Sequence, residues 1–191
     1  DFAMYVVLLP YWSPPPSGPN AIPDTQTDNW ADVRIQQGNV LGLPHGGVAS
    51  ALDVGDTVDL HPPDKLDVGE RLALWALKND YGRTTIVPSG PIIKDITVTG
   101  NKVICLFDYV GSGLMVGCKA PTPNVATVQL VGGVLKRFSI ADAGGTWYGA
   151  TAAIVGNTVE LTSPSVSVPK KVAYAMWNNP VDGLDPVALK E

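Results

Sequence analysis

Cysteine and histidine are scarce in this chain, with two of each among 191 residues. A structural zinc site needs about four clustered cysteine or histidine ligands. These four residues do not cluster along the sequence, so no metal site and no cofactor are predicted. Cys105 and Cys118 are spaced like residues on neighbouring strands of a hairpin, and they could form one disulfide or remain two buried thiols.

Basic residues and long apolar runs are also in short supply. Lysine and arginine total 13 against 18 acidic residues, which gives a formal net charge of −5 and a pI near 4.9. This balance argues against nucleic acid or an anionic membrane as a partner. No apolar run approaches the roughly 20 residues that span a bilayer. The hydrophobic content of 45% is that of a chain that folds around a core.

Residues 1–87 alternate between strand and helix patterns. Continuous apolar runs predict buried strands, and amphipathic stretches with capping residues predict helices. The strands are expected at residues 4–9 and 48–52, and the first helix at residues 28–37. The second helix is expected from residue 62 to about residue 79, with Pro62 and Pro63 in its first turn. The order strand, helix, strand, helix predicts an α/β domain with a parallel sheet.

Residues 88–191 contain short β-rich runs separated by glycine turns, with no helical periodicity. This pattern predicts a second domain, an antiparallel β-sandwich. Its strands are expected at residues 92–99, 102–109, 126–131, 150–154, 158–161 and 171–177. Residues 111–113, Gly-Ser-Gly, are predicted to form a hairpin turn.

The acidic segment at residues 53–65 holds the pattern most suggestive of chemistry. His61 follows Asp59 by two residues and Asp56 by five, after a predicted strand and before a predicted helix. An imidazole oriented by a carboxylate can take the proton of a serine hydroxyl, and α/β sheets place such groups at the carboxyl ends of strands. His61 is therefore a candidate catalytic base, with Asp59 or alternatively Asp56 as its orienting carboxylate. A surface histidine in an acidic loop is the competing interpretation.

Three other side chains are candidates for binding a sugar. Arg34 and Gln37 lie about one helical turn apart and could point together toward a ligand, or form a helix-surface pair. Trp12 follows the first predicted strand and could stack on a sugar ring or pack in the core. His45 lies in a turn and is expected to be structural or exposed to solvent.

Residues 50–77 resemble the end of the catalytic domain of sialate O-acetylesterase-like proteins in the SGNH-hydrolase superfamily. In that family Asp-x-His-Pro-x-x-Lys precedes a helix of the form Gly-x-Arg-Leu-Ala, here residues 59–65 and 69–73. Residues 30–37 resemble the family's Trp-x-x-x-Arg-x-x-Gln helix. Further matching segments, in the same order, are residues 107–114, 138–141 and 172–180.

The resemblance implies a partial SGNH or flavodoxin-like three-layer domain and an esterase that removes acetyl groups from O-acetylated sugars. It also implies a secreted, periplasmic or lysosomal protein. In such enzymes a serine attacks the acetyl carbonyl, a histidine relays the proton, and an oxyanion hole stabilises the intermediate. The superfamily's usual spacing is Asp-x-x-His, and Val58 occupies that aspartate position. A Ser–His dyad without an aspartate is therefore an alternative.

The family's nucleophile block, Gly-x-Ser near the start of the α/β domain, has no counterpart in these residues, and neither do its oxyanion-hole blocks. The sequence also opens directly on an apolar run. The chain is therefore expected to be the C-terminal part of a larger esterase, inactive without the polypeptide that carries the serine. A non-catalytic carbohydrate-binding or structural fragment is the alternative.

Overall fold

A computed structural model of the chain describes residues 2–13, 30–119, 125–126, 128–181 and 188–190. Within these ranges most of the regular structure is antiparallel β-sheet, accompanied by one parallel pair of strands and few helices. The prolines of residues 13–19 predict an extended loop, and of these residues only Ser13 lies within the described ranges.

The N-terminal elements form a parallel pair of strands with neighbouring helices. Strands β1 (Met4–Val7) and β2 (Gly46–Ala49) pair in parallel. The connection between them contains helix α1 (Trp30–Gly38) and a 3₁₀-helix (Asn39–Gly42), and helix α2 (Lys65–Asn79) follows β2. This is the predicted order of elements, although both strands are shorter than expected.

Helix α2 packs on β2 through Trp75, which is 4% exposed. Its indole N–H donates a hydrogen bond to the carbonyl of Val48 at 2.7 Å. Gly47 permits this approach, because a Cβ at that position would lie 2.6 Å from the indole ring. The helix is thereby fixed against the strand that leads into the acidic segment.

Helix α2 begins later than the sequence pattern predicted. Asp64 is its N-cap, and the Asp64 carboxylate accepts a hydrogen bond from the backbone N–H of Asp67 at 3.1 Å. An aspartate side chain satisfies a free N–H at a helix start, which the prolines cannot do. Pro62 and Pro63 therefore precede the helix instead of occupying its first turn.

The remaining strands within the described residues are β3 (Ile92–Thr99), β4 (Lys102–Asp108), β5 (Met115–Cys118), β6 (Val128–Gln129), β7 (Phe138–Ala141), β8 (Trp147–Gly149), β9 (Thr151–Val155), β10 (Thr158–Thr162), β11 (Lys171–Tyr174) and β12 (Ala188–Lys190). They form antiparallel sheets in the orders β3-β4-β10-β9, β11-β7-β8 and β12-β5-β6.

One hydrophobic core lies between the sheets. Val103 and Leu161 from the four-stranded sheet and Phe138 and Ile140 from β7 are buried together in it. Side chains alternate along β10, so that Val159 and Leu161 face this core. Two sheets packed through their inner faces are the arrangement of a β-sandwich. The predicted antiparallel β-structure is confirmed.

Two expectations for this half are wrong. Residues 111–113 connect β4 to β5, which belong to different sheets, so they do not close a hairpin. For the same reason Cys105 and Cys118 do not lie on neighbouring strands. Cys105 is a buried free thiol whose pKa burial raises to about 11.

The predicted three-layer SGNH domain extends beyond what the described residues contain, and it stays a prediction. The predicted boundary after residue 87 falls in the connection between α2 and β3 and also stays a prediction. Strand β1 is less buried than expected for a strand covered on both faces, since Met4 is 44% exposed.

The core between the sheets predicts unequal costs for the same substitution on adjacent strands. Val159 is 0% exposed and Val155 is 51% exposed. Val159→Ala removes buried methyl groups and leaves a small cavity, so we expect it to lower the free energy of unfolding by about 2 kcal/mol. Val155→Ala should cost less than about 0.5 kcal/mol. Urea unfolding followed by circular dichroism measures both, and equal costs would contradict this core assignment.

Candidate active site

The acidic segment after β2 begins at a buried ion pair. Asp53 accepts a bidentate pair of hydrogen bonds from Arg71 of α2, at 2.6 and 2.7 Å. Arg71 also donates to the carbonyl of Ser50 at 2.6 Å. Paired charge-assisted hydrogen bonds of this kind are strong and directional. They fix the point at which the chain leaves the second strand.

Tyr11 packs against the next part of this segment. A Cβ at position 55 would lie 2.3 Å from the Tyr11 carbonyl oxygen, so the close contact requires Gly55. Burial raises the pKa of Tyr11, and the negative charge of Asp56 raises it further. Tyr11 follows β1, so the acidic segment lies at the carboxyl ends of both parallel strands.

The segment ends at a second buried cluster of charges. Asp64 is 0% exposed, and Lys119, which follows β5, is 3% exposed. The Lys119 ammonium lies 3.1 Å from the Asp64 carboxylate and 2.7 Å from that of Asp67. Both ends of residues 53–64 are therefore held by buried charged groups.

His61 lies between these two anchored ends and is open to solvent. The side chains of His61 and Asp59 are 75% and 62% exposed. Nδ1 of His61 lies 3.0 Å from Oδ1 of Asp59, and the backbone N–H of His61 donates to the same oxygen at 2.8 Å. These backbone and side-chain hydrogen bonds lower the pKa of Asp59, so its carboxylate is ionised near neutral pH. With Nδ1 engaged, Nε2 is the nitrogen that can accept a proton.

Asp56 has a different role in the same segment. Its Oδ1 accepts the backbone N–H groups of Val58 at 2.8 Å and of Asp59 at 3.2 Å. This is the pattern by which an aspartate stabilises a turn in its own backbone. Of the two candidate carboxylates, Asp59 is the one that contacts the imidazole, and Asp56 shapes the turn that precedes it.

Arg34 is directed into the protein, toward the end of β11. It is 8% exposed, and its Nη2 donates to the carbonyl of Ala175 at 3.3 Å and to that of Trp177. Burial lowers the pKa of the guanidinium to about 10. These contacts join α1 to the β-sandwich, and a sugar-binding role for Arg34 stays a prediction.

Gln37 is also engaged with backbone. Its Oε1 accepts the N–H of Leu9 at 2.9 Å, and its Nε2 donates to the carbonyl of Val7 at 3.1 Å. The side-chain amide thus pairs with the end of β1 as a neighbouring strand would. A sugar-binding role for Gln37 also stays a prediction.

Trp12 stacks on Trp30, with ring centroids 5.4 Å apart and an interplanar angle of 24°. Asn178 contacts both residues of the pair. Its backbone carbonyl accepts the backbone N–H of Trp12 at 3.2 Å, and its side-chain oxygen accepts the backbone N–H of Trp30 at 2.8 Å. These contacts fit the packing alternative for Trp12. A sugar-binding role for Trp12 stays a prediction.

A second histidine–aspartate pair lies at the opposite edge of the parallel strands. His45 Nδ1 lies 3.0 Å from Asp80, whose other oxygen accepts a hydrogen bond from the Tyr5 hydroxyl. His45 immediately precedes β2, so this cluster is at the amino ends of the strands. Ligand sites of α/β sheets lie at the carboxyl ends. Position in the sheet therefore favours His61 over His45 as the catalytic candidate.

A cavity of about 750 Å³ lies between α2 and the β-sandwich. Apolar side chains that include Leu74, Phe107 and Val172 line it, and the Asp53–Arg71 pair contributes to its wall. Asp59 and His61 are not among its lining residues. The cavity and the candidate base are therefore separate features.

Among the described residues, no group of three or more histidine, cysteine, aspartate or glutamate side chains could hold a metal ion. None of the helices in this part of the chain is long and apolar enough to cross a membrane.

Sequence reasoning missed the residues that anchor the candidate base. The motif at residues 69–73 contains Arg71 but does not indicate its partner, and the sequence assigns no role to Lys119. The Lys119–Asp64 pair joins residues 55 positions apart. A local pattern carries no signal for a contact between positions so distant in sequence.

Comparison with known proteins finds a likeness to a solved structure. No protein-family model and no curated protein matches the chain. The crystal structure of the carbohydrate acetylesterase XAC1771 from Xanthomonas citri matches it with a TM-score of 0.75 and 31% sequence identity. The match covers 99% of this chain and 38% of that protein, so the chain spans well under half of the acetylesterase. The likeness supports a relationship to carbohydrate esterases and does not single out the sialate-specific family.

The Asp80 cluster predicts a specific dependence of stability on pH. Hydrogen bonds from Tyr5 and His45 lower the pKa of Asp80 below 3.8 in the folded state. A lowered folded pKa stabilises the protein above about pH 4, and the stabilisation is lost as the pH falls through the folded value. Urea unfolding between pH 6 and pH 3 should show the wild-type advantage over Asp80→Asn shrinking as pH falls. Tyr5→Phe, which removes one donor, should show part of the same effect. An advantage that is constant with pH would contradict it.

Proposed function

We propose that this chain carries the catalytic base of a carbohydrate O-acetylesterase, with His61 accepting the proton of a serine on polypeptide outside these 191 residues. The observation that carries the proposal is the 3.0 Å contact between Nδ1 of His61 and Asp59, at the carboxyl ends of two parallel strands. The likeness to an acetylesterase over 99% of the chain supports acetyl esters on sugars as the substrate class.

The geometry accounts for the steps that His61 would perform. Asp59 accepts a hydrogen bond from Nδ1–H and so holds the neutral ring in the tautomer with a free lone pair on Nε2. Nε2 takes the serine proton as the hydroxyl attacks the acetyl carbonyl, and the ionised Asp59 stabilises the positive ring that results. The ring then returns the proton to the departing sugar oxygen.

The exposure of the pair supports a site completed by further polypeptide. His61 is 75% exposed, and in water a hydrogen bond between exposed groups adds little stabilisation. Enclosure would lower the local dielectric constant and strengthen the interaction between Asp59 and the charged ring. The serine and oxyanion-hole donors of an acetylesterase would provide that enclosure. Within this proposal, residues 1–87 complete an SGNH-type α/β domain together with that polypeptide.

The first test compares the two histidines in the native protein that carries these residues. Hydrolysis of an activated acetate ester should fall by several orders of magnitude in His61→Ala, because the base and the nucleophile act as a unit. His45→Ala is the matched control and should retain activity, since His45 lies at the other edge of the strands. The 191-residue chain alone should be inactive. Unchanged kcat in His61→Ala would remove His61 from the mechanism.

The second test separates the two carboxylates. Asp59→Asn should lower kcat by about 10²- to 10⁴-fold, because an amide donor favours the wrong imidazole tautomer. Asp56→Asn should have a small effect, since an asparagine oxygen can still accept the N–H groups of Val58 and Asp59. The opposite ranking would assign the orienting role to Asp56. Near-neutral results for both would support a Ser–His dyad.

A further inference from the structure

Buried charges connect the β-sandwich to the segment that carries His61. The Lys119 ammonium contacts Asp64 and Asp67, and Asp67 in turn lies 3.9 Å from Arg71, which binds Asp53. These five side chains thus form a continuous network that joins the two ends of residues 53–64. Lys119 directly follows β5, so it is the member of this network that belongs to the β-sandwich.

The network is well placed to control where His61 lies. Asp64 caps α2 and is separated from His61 only by Pro62 and Pro63. Proline fixes its backbone φ angle, so this link is stiff and a displacement at Asp64 passes to His61. Asp64 is fully buried, and a buried carboxylate depends on its cation for its position as well as its charge.

We propose that Lys119 is a positioning residue for His61, through which the β-sandwich sets the geometry of the catalytic base. The inference rests on the proposed function for its effect on catalysis. The effect on the position of residues 53–64 is independent of that function. A displacement of about 1 Å of a reacting group can cost about a hundredfold in rate, so a fixed anchor at this point matters for acyl transfer.

Hydrogen exchange in the native protein tests the structural part. In Lys119→Met, amides of residues 53–64 should exchange about tenfold faster, while those of β10 keep their wild-type rates. Lys119→Arg should restore most of the protection, since a guanidinium can bridge two carboxylates. Lys94→Met is the matched control, because Lys94 pairs with Asp108 on the exposed face of the sandwich at 2.7 Å. Faster exchange across the whole protein, or none, would overturn the proposal.

Lys119→Met leaves the buried Asp64 carboxylate without its cation and can unfold the protein. The double variant Lys119→Met/Asp64→Asn removes that penalty while asparagine still caps α2. We expect it to regain thermal stability and to keep the fast exchange of residues 53–64. Wild-type exchange in the double variant would show that the ion pair does not position this segment.

Kinetics on an activated acetate ester test the catalytic part. Lys119→Met should lower kcat at least about tenfold with little change in KM, and Lys119→Arg should recover most of it. If wild type hydrolyses the ester and Lys119→Met has an unchanged kcat, the positioning role is wrong. If wild type hydrolyses no acetate ester while the exchange result holds, the proposed function fails and the anchoring of the segment stands.

Discussion

The fold around the acidic segment depends on the contact between a buried lysine of the β-sandwich and two carboxylates of the N-terminal half. Asp64 and Asp67 begin α2, yet the ammonium that contacts both is Lys119 of the β-sandwich. Taking charges out of water is costly unless they are paired, so the carboxylates at the start of α2 need the cation that the sandwich supplies. The helix start, the acidic segment before it and the sandwich edge are thereby constrained together.

At a second contact between the two halves, the cation comes from the N-terminal half. Arg34 of α1 donates to backbone carbonyls at residues 175 and 177, beyond the last residue of β11. Each half therefore places a buried cation in the other. The backbone at residues 175 and 177 thus holds α1, and α1 holds the end of β1 through the hydrogen bond between Gln37 and Leu9.

The sequence patterns predicted what local rules determine. Strand β3 and helix α2 were predicted near their observed positions, because periodicity and turn residues act over a few residues. Contacts across the fold were not predictable in this way. Arg34 and Gln37 share a helix, but helical spacing cannot show which surface covers that helix. The sequence could not decide whether Asp59 or Asp56 orients the imidazole. The path of the backbone decides it, because it turns Asp59 toward the imidazole.

The contrast between the anchors and the group they support fits the function proposed above, in which the serine lies on other polypeptide. Asp53 and Asp64 are buried and ion-paired, whereas His61 between them is largely exposed. A base that must meet a serine from elsewhere has to remain accessible, and it must also be held closely enough to be correctly oriented on contact. Buried ion pairs at both ends of the segment satisfy the second requirement without covering the imidazole. The stability of the anchors and the exposure of His61 are therefore complementary parts of the same arrangement.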